Sequence, residues 1–420
     1  MAQGIVHVIG GGLAGLAAAV RLSNSGVTVH LHEAAGQAGG RCRSYHDAAI
    51  GTTIDNGNHL VFSGNRATRD YLRRIGADDR LEGPPQSIFP FVDLATGERW
   101  CLRPNAGRLP WWIMRAGRRV PGTGAADYLG VAPLMWARPD QTIGEVMRCH
   151  GTIYHRLWHP VLLAALNTDP PDASAHLAGA VIRETLGSGG RACRPLIARA
   201  GLAHAFVEPA IGFLEKRGSL ILFNHRLRSM TFGAGRVEAL DFGEETVRSG
   251  PGDGIVLAVP PWVAASLVPD LSAPSEFRAI VNAHFRVASP KDLAPMTGVV
   301  NGTVEWIFSF PDRLSVTISG ADRLLEVPRE ALARDLWDEV SRITGVAGPL
   351  PPWQIIKERR ATFASLPRED AKRPGTATAW SNLALAGDWT ATGLPATIEG
   401  AIRSGDAAAD QLSGQRRLSS

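Results

Sequence analysis

The stretch Val8–Leu22, VIGGGLAGLAAAVRL, limits the fold more than any other part of the chain. Ile5 to Ile9 reads as a short buried strand. Gly10, Gly12 and Gly15 follow in GxGxxG spacing, and an alanine-rich apolar helix continues to Leu22. Each glycine has a steric reason: a tight turn at Gly10, a close approach of backbone to a pyrophosphate at Gly12, and close packing of helix on strand at Gly15. The helix start, with Leu13 and Ala14, presents N–H groups and a positive dipole end to phosphates. The next strand, VTVHLHEA, ends in Glu33, where a carboxylate can accept hydrogen bonds from both ribose hydroxyls. Strand, turn, helix, strand and acid together predict a Rossmann-like α/β dinucleotide-binding domain. The alternative is a glycine-rich βαβ turn that binds nothing.

The residues after Glu33 bear on which dinucleotide. AAGQAGGRCRSY places Gly39, Gly40 and Arg41 where a nicotinamide dehydrogenase would usually start another crossover helix. A glycine pair lets the chain pass close over a pyrophosphate, and an arginine can pair with it. This segment resembles that of the phytoene-desaturase and amine-oxidase superfamily of flavoproteins, which implies FAD. A second stretch near the other end, LALAGDWTATGLPATIEGAIRSG, is similar to the superfamily's closing segment. The resemblance implies that Gly387 and Asp388 lie near the ribityl and phosphate groups. It also implies a helix from about Ala396, with Pro395, Thr397, Ile398 and Glu399 about its first turn, aimed at the pyrimidine side of the flavin. There a helix dipole would stabilise the charge of reduced flavin. In the middle of the chain, Gly218–Phe242 and GIVLAVPPW read as strands that return to this domain, with Leu227 against the adenine by the same resemblance.

The predicted fold class is therefore α/β. A discontinuous FAD-binding domain draws on 1–80, 205–268 and 376–420, and a mixed α+β substrate domain on 81–204 and 269–375. Residues from about 81 to 204 read as mainly helical. TVEWIFSF and RLSVTISG alternate like strands of one sheet, REALARDLWDEVSRITG is an amphipathic helix, and GQRRLSS reads as a frayed tail. The segment 108–138 mixes tryptophan, methionine and leucine with arginine, which suits an interfacial element, the wall of an apolar tunnel, or plain core.

Charge and cysteine content narrow the function further. The net charge of +4 comes with no long basic run, so a nucleic-acid partner is not expected. The four cysteines are scattered, which suits a reducing cytoplasm rather than a disulfide framework or a metal cluster. His155 and His159 stand at helical spacing and read as a helix-face pair, so no metal is expected. The start of the chain does not read as a signal peptide, and no apolar run of about 18 residues suggests a spanning helix.

Three stretches spread over the chain resemble one branch of the superfamily, the squalene-associated hydroxysqualene dehydroxylases of bacterial hopanoid biosynthesis. They are GGRCRSYHDAAIGTTIDNGNHLVFSGN, LWHPVLLAALNTDPPDAS and the closing segment, with DNGNH and ALNT pointing to the branch. The resemblance implies a long isoprenoid substrate, reduction of an allylic alcohol with loss of water, and an electron donor that the sequence does not name. It places Gly57, Asn58 and His59 near the flavin ring. His59, Asn58 and Asp169 are the candidate catalytic residues, because hydroxide leaves poorly without a proton. A cytoplasmic place, peripheral at the inner face of the membrane, would follow from the substrate. A carotenoid-type desaturase, an amine oxidase and a non-catalytic flavin-binding scaffold are the competing classes.

Overall fold

The computed structural model describes residues 4–418. The chain opens with β1 (Ile5–Ile9), α1 (Leu13–Asn24) and β2 (Thr28–His32). After α2 (Arg66–Arg74) come β3 (Phe89–Asp93) and β4 (Arg99–Leu102), a run of short 3-10 turns between 111 and 136, α3 (His159–Leu166) and α4 (Ala175–Glu184). Then follow β5 (Leu220–Leu222), β6 (Gly254–Leu257), β7 (Phe277–Phe285), β8 (Met296–Val300), β9 (Trp306–Ser309) and β10 (Leu314–Ile318). The chain closes with α5 (Arg329–Thr344), β11 (Trp353–Phe363), β12 (Leu383–Leu385) and α6 (Ile398–Leu418).

Two sheets organise these elements. The first is parallel, in the order β12–β6–β1–β2–β5. Its strands are short apolar runs, as expected where both faces are covered. Val6, Val8, Val29, Leu31, Ile255 and Leu257 are fully buried. The order brings strands from the start, middle and end of the chain side by side: Ile9 stands opposite Leu257, and Leu257 opposite Leu385. The second sheet runs β11–β7–β10–β9–β8–β3–β4, antiparallel except for the β8–β3 pair. Its side chains alternate with the strand period of two. Val281, Ala283, Phe285, Val316 and Ile318 belong to the apolar cluster under α5, where Leu332, Leu336 and Val340 complete it. Asn282, His284, Ser315 and Thr317 are the alternate residues of the same strands.

α1 and α6 close the first sheet by packing together. Gly405 of α6 meets the first turn of α1 so closely that a Cβ on it would lie 2.1 Å from the Ala14 carbonyl oxygen. Arg21 of α1 pairs with Asp410 at 2.6 Å, and Arg74 of α2 with Asp406 at 2.8 Å.

Three expectations need correction. The stretch 89–102, read as helical, is the β3–β4 hairpin; Phe89, Phe91 and Trp100 are buried and Gly97 turns the chain at φ 75°. The last helix starts at Ile398 rather than about Ala396, because the Thr397 hydroxyl accepts from Gly400 N at 3.0 Å and ends the preceding loop. Pro395 therefore lies before the helix. At the other end α6 continues through Leu418, so most of GQRRLSS is helical, and Ser419 and Ser420 lie outside the described residues.

Candidate active site: a dinucleotide cradle closed by both ends of the chain

The β1–α1 turn is built as its glycines require. Gly10 has φ 108°, and its N–H donates to the His32 carbonyl at 2.7 Å. Glu33 stands at the tip of β2. One carboxylate oxygen accepts from Gly11 N at 2.7 Å and the other from Ala35 N at 2.8 Å, which fixes the plane of the carboxylate. The chain after β5 returns to this rim. Asn224 N donates to the Ala35 carbonyl and His225 N to the Glu33 carbonyl, and Leu227, two residues on, is buried with Val237 and Phe242. Behind Glu33 runs a ladder of buried rings that sequence reasoning missed. His7 Nδ1 lies 3.1 Å from His32 Nε2, and His32 Nδ1 lies 2.9 Å from His225 Nδ1. Burial lowers His7 to about 4 and His32 to about 3, so both are neutral at ordinary pH.

Gly39 and Gly40 lie over the turn: Gly39 N donates to the Gly11 carbonyl at 2.8 Å, and both residues have positive φ. Arg41 departs from expectation. Its guanidinium donates to both oxygens of Asp388 at 2.7 Å and to the Ala361 carbonyl at 2.6 Å. The charge expected to face a pyrophosphate is thus matched within the protein. This two-point pair also ties the two glycine-rich loops from opposite ends of the chain together. The Asp388 loop has a second clamp, also missed. The buried Arg373 donates to the carbonyls of Asp388, Trp389 and Thr390 and to the Thr392 hydroxyl, while Asp370 pairs with it at 2.8 Å. Gly387 N donates to the Ser404 hydroxyl at 2.9 Å, fixing the loop to α6. Glu399, in the first turn of α6, turns its carboxylate away to the start of α2, accepting from Ala67 N, Thr68 N and the Thr68 hydroxyl.

Asn56, Gly57, Asn58 and His59 run between this cradle and the second sheet. Asn58 N donates to Asn282 Oδ1 at 3.4 Å, and Asn58 Nδ2 to the hydroxyls of Ser315 at 2.7 Å and Thr317 at 3.0 Å. The orientation of the amide follows from the network. Thr317 spends its hydrogen on Asn282 Oδ1, so it accepts from Asn58. Asn58 Oδ1 is left buried without a protein partner. His59 is half-buried beside Arg41 and Asp388. Burial, and then the Arg41 charge, push it down to about 4, so it is a neutral imidazole at pH 7 rather than the imidazolium acid expected.

Asp169 is not brought to this place. It is exposed, 3.8 Å from His159 Nε2, and lines a separate cavity of about 510 Å³ with His155, Arg278, Glu305 and Arg323. None of the cradle residues lines that cavity. Burial raises Glu305 there to about 7. Among the described residues no group of three or more His, Cys, Asp or Glu is arranged to hold a metal.

FAD fits the cradle. No atom lies within 4 Å of where a Cβ on Gly12 would stand, which leaves the approach to the turn open. The first turn of α1 carries neither a side-chain cap nor an acidic residue, so its N–H groups can take an anion. Glu33 is held as a ribose acceptor would be. Such a cradle, closed by a second glycine-rich loop and set against a mixed sheet, defines an FAD-dependent oxidoreductase. The chain belongs to the family of flavin-containing amine oxidoreductases, whose pattern matches residues 13–413.

Within that family it is similar to the hydroxysqualene dehydroxylase of Rhodopseudomonas palustris, with 57% identity over 406 residues, 96% of this chain and 97% of that protein. It is also similar to the hydroxysqualene dehydroxylase of Sinorhizobium fredii, with 55% identity over 96% of this chain and 97% of that protein. Among solved structures, a putrescine oxidase double mutant superposes with a TM-score of 0.73 over 98% of this chain and 99% of its own. At 16% identity it shows the shared fold alone.

Proposed function

We propose that the chain reduces hydroxysqualene to squalene, with loss of water, in squalene and hopanoid biosynthesis. The observation that carries this reading is 57% identity to a hydroxysqualene dehydroxylase along nearly the whole length of both chains. The cradle and the wall beside it support it. In the reaction the C–O bond breaks, the oxygen takes a proton and leaves as water, and carbon gains a hydride. FAD, when bound and reduced, supplies that hydride. The chain's own residues do the rest. Gly10, Gly12, Leu13, Ala14 and Gly15 seat the pyrophosphate, and Glu33 takes the ribose. Gly39, Gly40 and the Arg41–Asp388 pair, with Gly387, hold the loops over the ribityl chain. Leu227 covers the adenine side, while Pro395, Thr397 and Ile398 bring the start of α6 to the ring.

Gly57, Asn58 and His59 form the wall beside the ring. Asn58 Oδ1 is buried and unpaired, so it would accept from a substrate hydroxyl only if the wall opens toward it. The neutral His59 can donate an N–H hydrogen bond to the leaving oxygen without carrying charge into an apolar site, and the proton that completes the water comes from solvent. Asp169 has no part in this reading. The FAD-binding unit comprises 1–80, 205–268 and 376–420, and the substrate unit 81–204 and 269–375. Among the described residues no helix is long and apolar enough to cross a membrane. A cytoplasmic place, peripheral at the inner face of the membrane, suits a substrate of this kind.

An anaerobic half-reaction tests the reading. Protein carrying flavin is reduced with dithionite, freed of excess reductant and mixed with hydroxysqualene. Flavin reoxidation with equimolar squalene is the expected result. Flavin that stays reduced overturns the reading and favours a desaturase, whose substrate would instead reduce the oxidised enzyme.

A further inference from the structure

The large apolar side chains that stand exposed are not spread evenly. Leu109, Trp111, Met114, Leu129 and Trp136 are 49–80% exposed and fall within one segment of the substrate unit. The only others of this kind among the described residues are Leu220, Phe223 and Trp262. The segment carries both exposed and buried large side chains. Trp112, Tyr128, Val131 and Leu134 point inward and are buried. Trp112 packs edge-on against Tyr128 at 5.2 Å, and the Tyr128 hydroxyl accepts from Val120 N at 2.8 Å. These contacts anchor the turns that hold Trp111, Met114 and Leu129 outward. A segment this well anchored is not exposed for want of structure.

The charges beside the apolar residues say what would cover them. Between 108 and 138 stand Arg108, Arg115, Arg118, Arg119 and Arg138 with one acid, Asp127; Arg138 pairs with Asp140 at 3.2 Å, and of the other four Arg108 and Arg115 are exposed. The guanidinium groups of Arg115 and Arg118 lie over the Trp111 ring, 5.2 and 5.3 Å from its centre. A tryptophan ring flanked by guanidinium groups, with leucine and methionine beyond it, is the arrangement that seats at a lipid headgroup boundary. Apolar groups enter the acyl region while the arginines meet phosphates. A symmetric contact with a second copy would instead bring arginines against arginines, with Asp127 and the already paired Asp140 to relieve them.

We propose that the outer side of 109–136 docks on an anionic lipid surface. This deepens the peripheral placement given above and rests on it. The buried side chains of the segment, Trp112, Tyr128, Val131 and Leu134, belong to an apolar cluster that also contains Leu257 and Leu385 of the first sheet, so a docked enzyme would have this segment between lipid and the apolar interior shared by both units.

The test uses flavin-loaded protein with vesicles of phosphatidylcholine alone and of phosphatidylcholine with about one-third phosphatidylglycerol. Flotation should carry the protein with the phosphatidylglycerol vesicles, and added salt should weaken this. The Leu109→Ser/Met114→Ser/Trp136→Ser variant should partition about tenfold less. The Arg115→Gln/Arg118→Gln variant should lose the preference for anionic lipid. Both should keep the wild-type flavin content and melting temperature, since none of these side chains is buried. Wild-type protein that stays below both kinds of vesicle overturns the proposal, as does a triple variant that floats like wild type. A wild-type dimer that the triple variant dissolves assigns the patch to self-association instead. Squalene formation in detergent micelles is read separately, so failure of the reaction and failure of docking cannot be confused.

Discussion

Gly405 offers a sharp test of how the cradle is closed. It lies in the middle of α6, where alanine would favour the helix by about 1 kcal/mol over glycine. A Cβ at this position, however, would stand 2.1 Å from the Ala14 carbonyl oxygen and 2.9 Å from the Ala17 Cβ. An ordinary carbon–oxygen contact is about 1 Å longer than the first of these, so α1 and α6 must separate by about that much. Overpacking of this size costs about 1–3 kcal/mol. The net expectation for Gly405→Ala is a loss of up to about 2 kcal/mol. The displaced group belongs to the first turn of α1, whose N–H groups we propose face the pyrophosphate, so FAD affinity should fall with stability, by about tenfold. Gly414 is the internal control. It lies in the same helix with nothing within 4 Å of its missing Cβ, and Gly414→Ala should raise stability by a few tenths of a kcal/mol up to about 1. Thermal unfolding with and without FAD, and a fluorescence titration of the apoprotein with FAD, measure both effects. If the two variants shift the melting temperature in the same direction and bind FAD equally, the close α1–α6 contact is not what seats the cofactor.

Further outcomes follow from the site. Glu33→Gln keeps the shape of the side chain but removes the charge, and FAD affinity should fall about tenfold to a hundredfold, measurable by the same titration. His59→Gln retains an N–H donor, so turnover should stay within about tenfold of wild type, while His59→Leu should fall further with flavin content unchanged; equal turnover in all three would remove His59 from the chemistry. His7 and His32 bind protons in the unfolded chain from about pH 6.5 downward but in the folded one only near 4 and 3. Their contribution is full above pH 6.5 and is lost as pH falls, by about 2 kcal/mol each at pH 5. Urea unfolding between pH 7.5 and 5 should show this loss, and His7→Phe should flatten it.

The parts of the site that could be read from sequence are those set by local geometry. Gly10 and Gly15 are required by the turn itself, and Glu33 sits at the end of the strand that follows, so short windows carry the signal. The Gly387–Asp388 strand end was legible for the same reason. What escaped depends on partners far along the chain. Arg373 looks like any surface arginine until the 388–392 loop folds over it. Arg41 could be assigned to a phosphate only while its partner, Asp388, was 347 residues away and unplaced. The histidine ladder joins two strands and the loop after a third, and no window contains more than two of its rings. The β3–β4 hairpin is a different case. Its alternation of Phe89, Phe91 and Trp100 with a Gly97 turn was visible, but proline and tryptophan in the surroundings masked the period of two. Asp169 was grouped with His59 because both followed stretches resembling one branch; in space the loop after α3 faces another cavity.

The closure of the first sheet also sets the order of events when the protein is made. The Arg21–Asp410 pair joins residues 389 positions apart, and β1 cannot gain β6, nor β6 gain β12, until those segments leave the ribosome. At about 5–20 residues per second the β1–α1 turn therefore waits roughly 20–80 s for its far wall. During that interval the apolar faces of β1 and α1 lack their native cover. A complete cradle for flavin is thus available only at a late step of biogenesis, after the last strand and helix have left the ribosome.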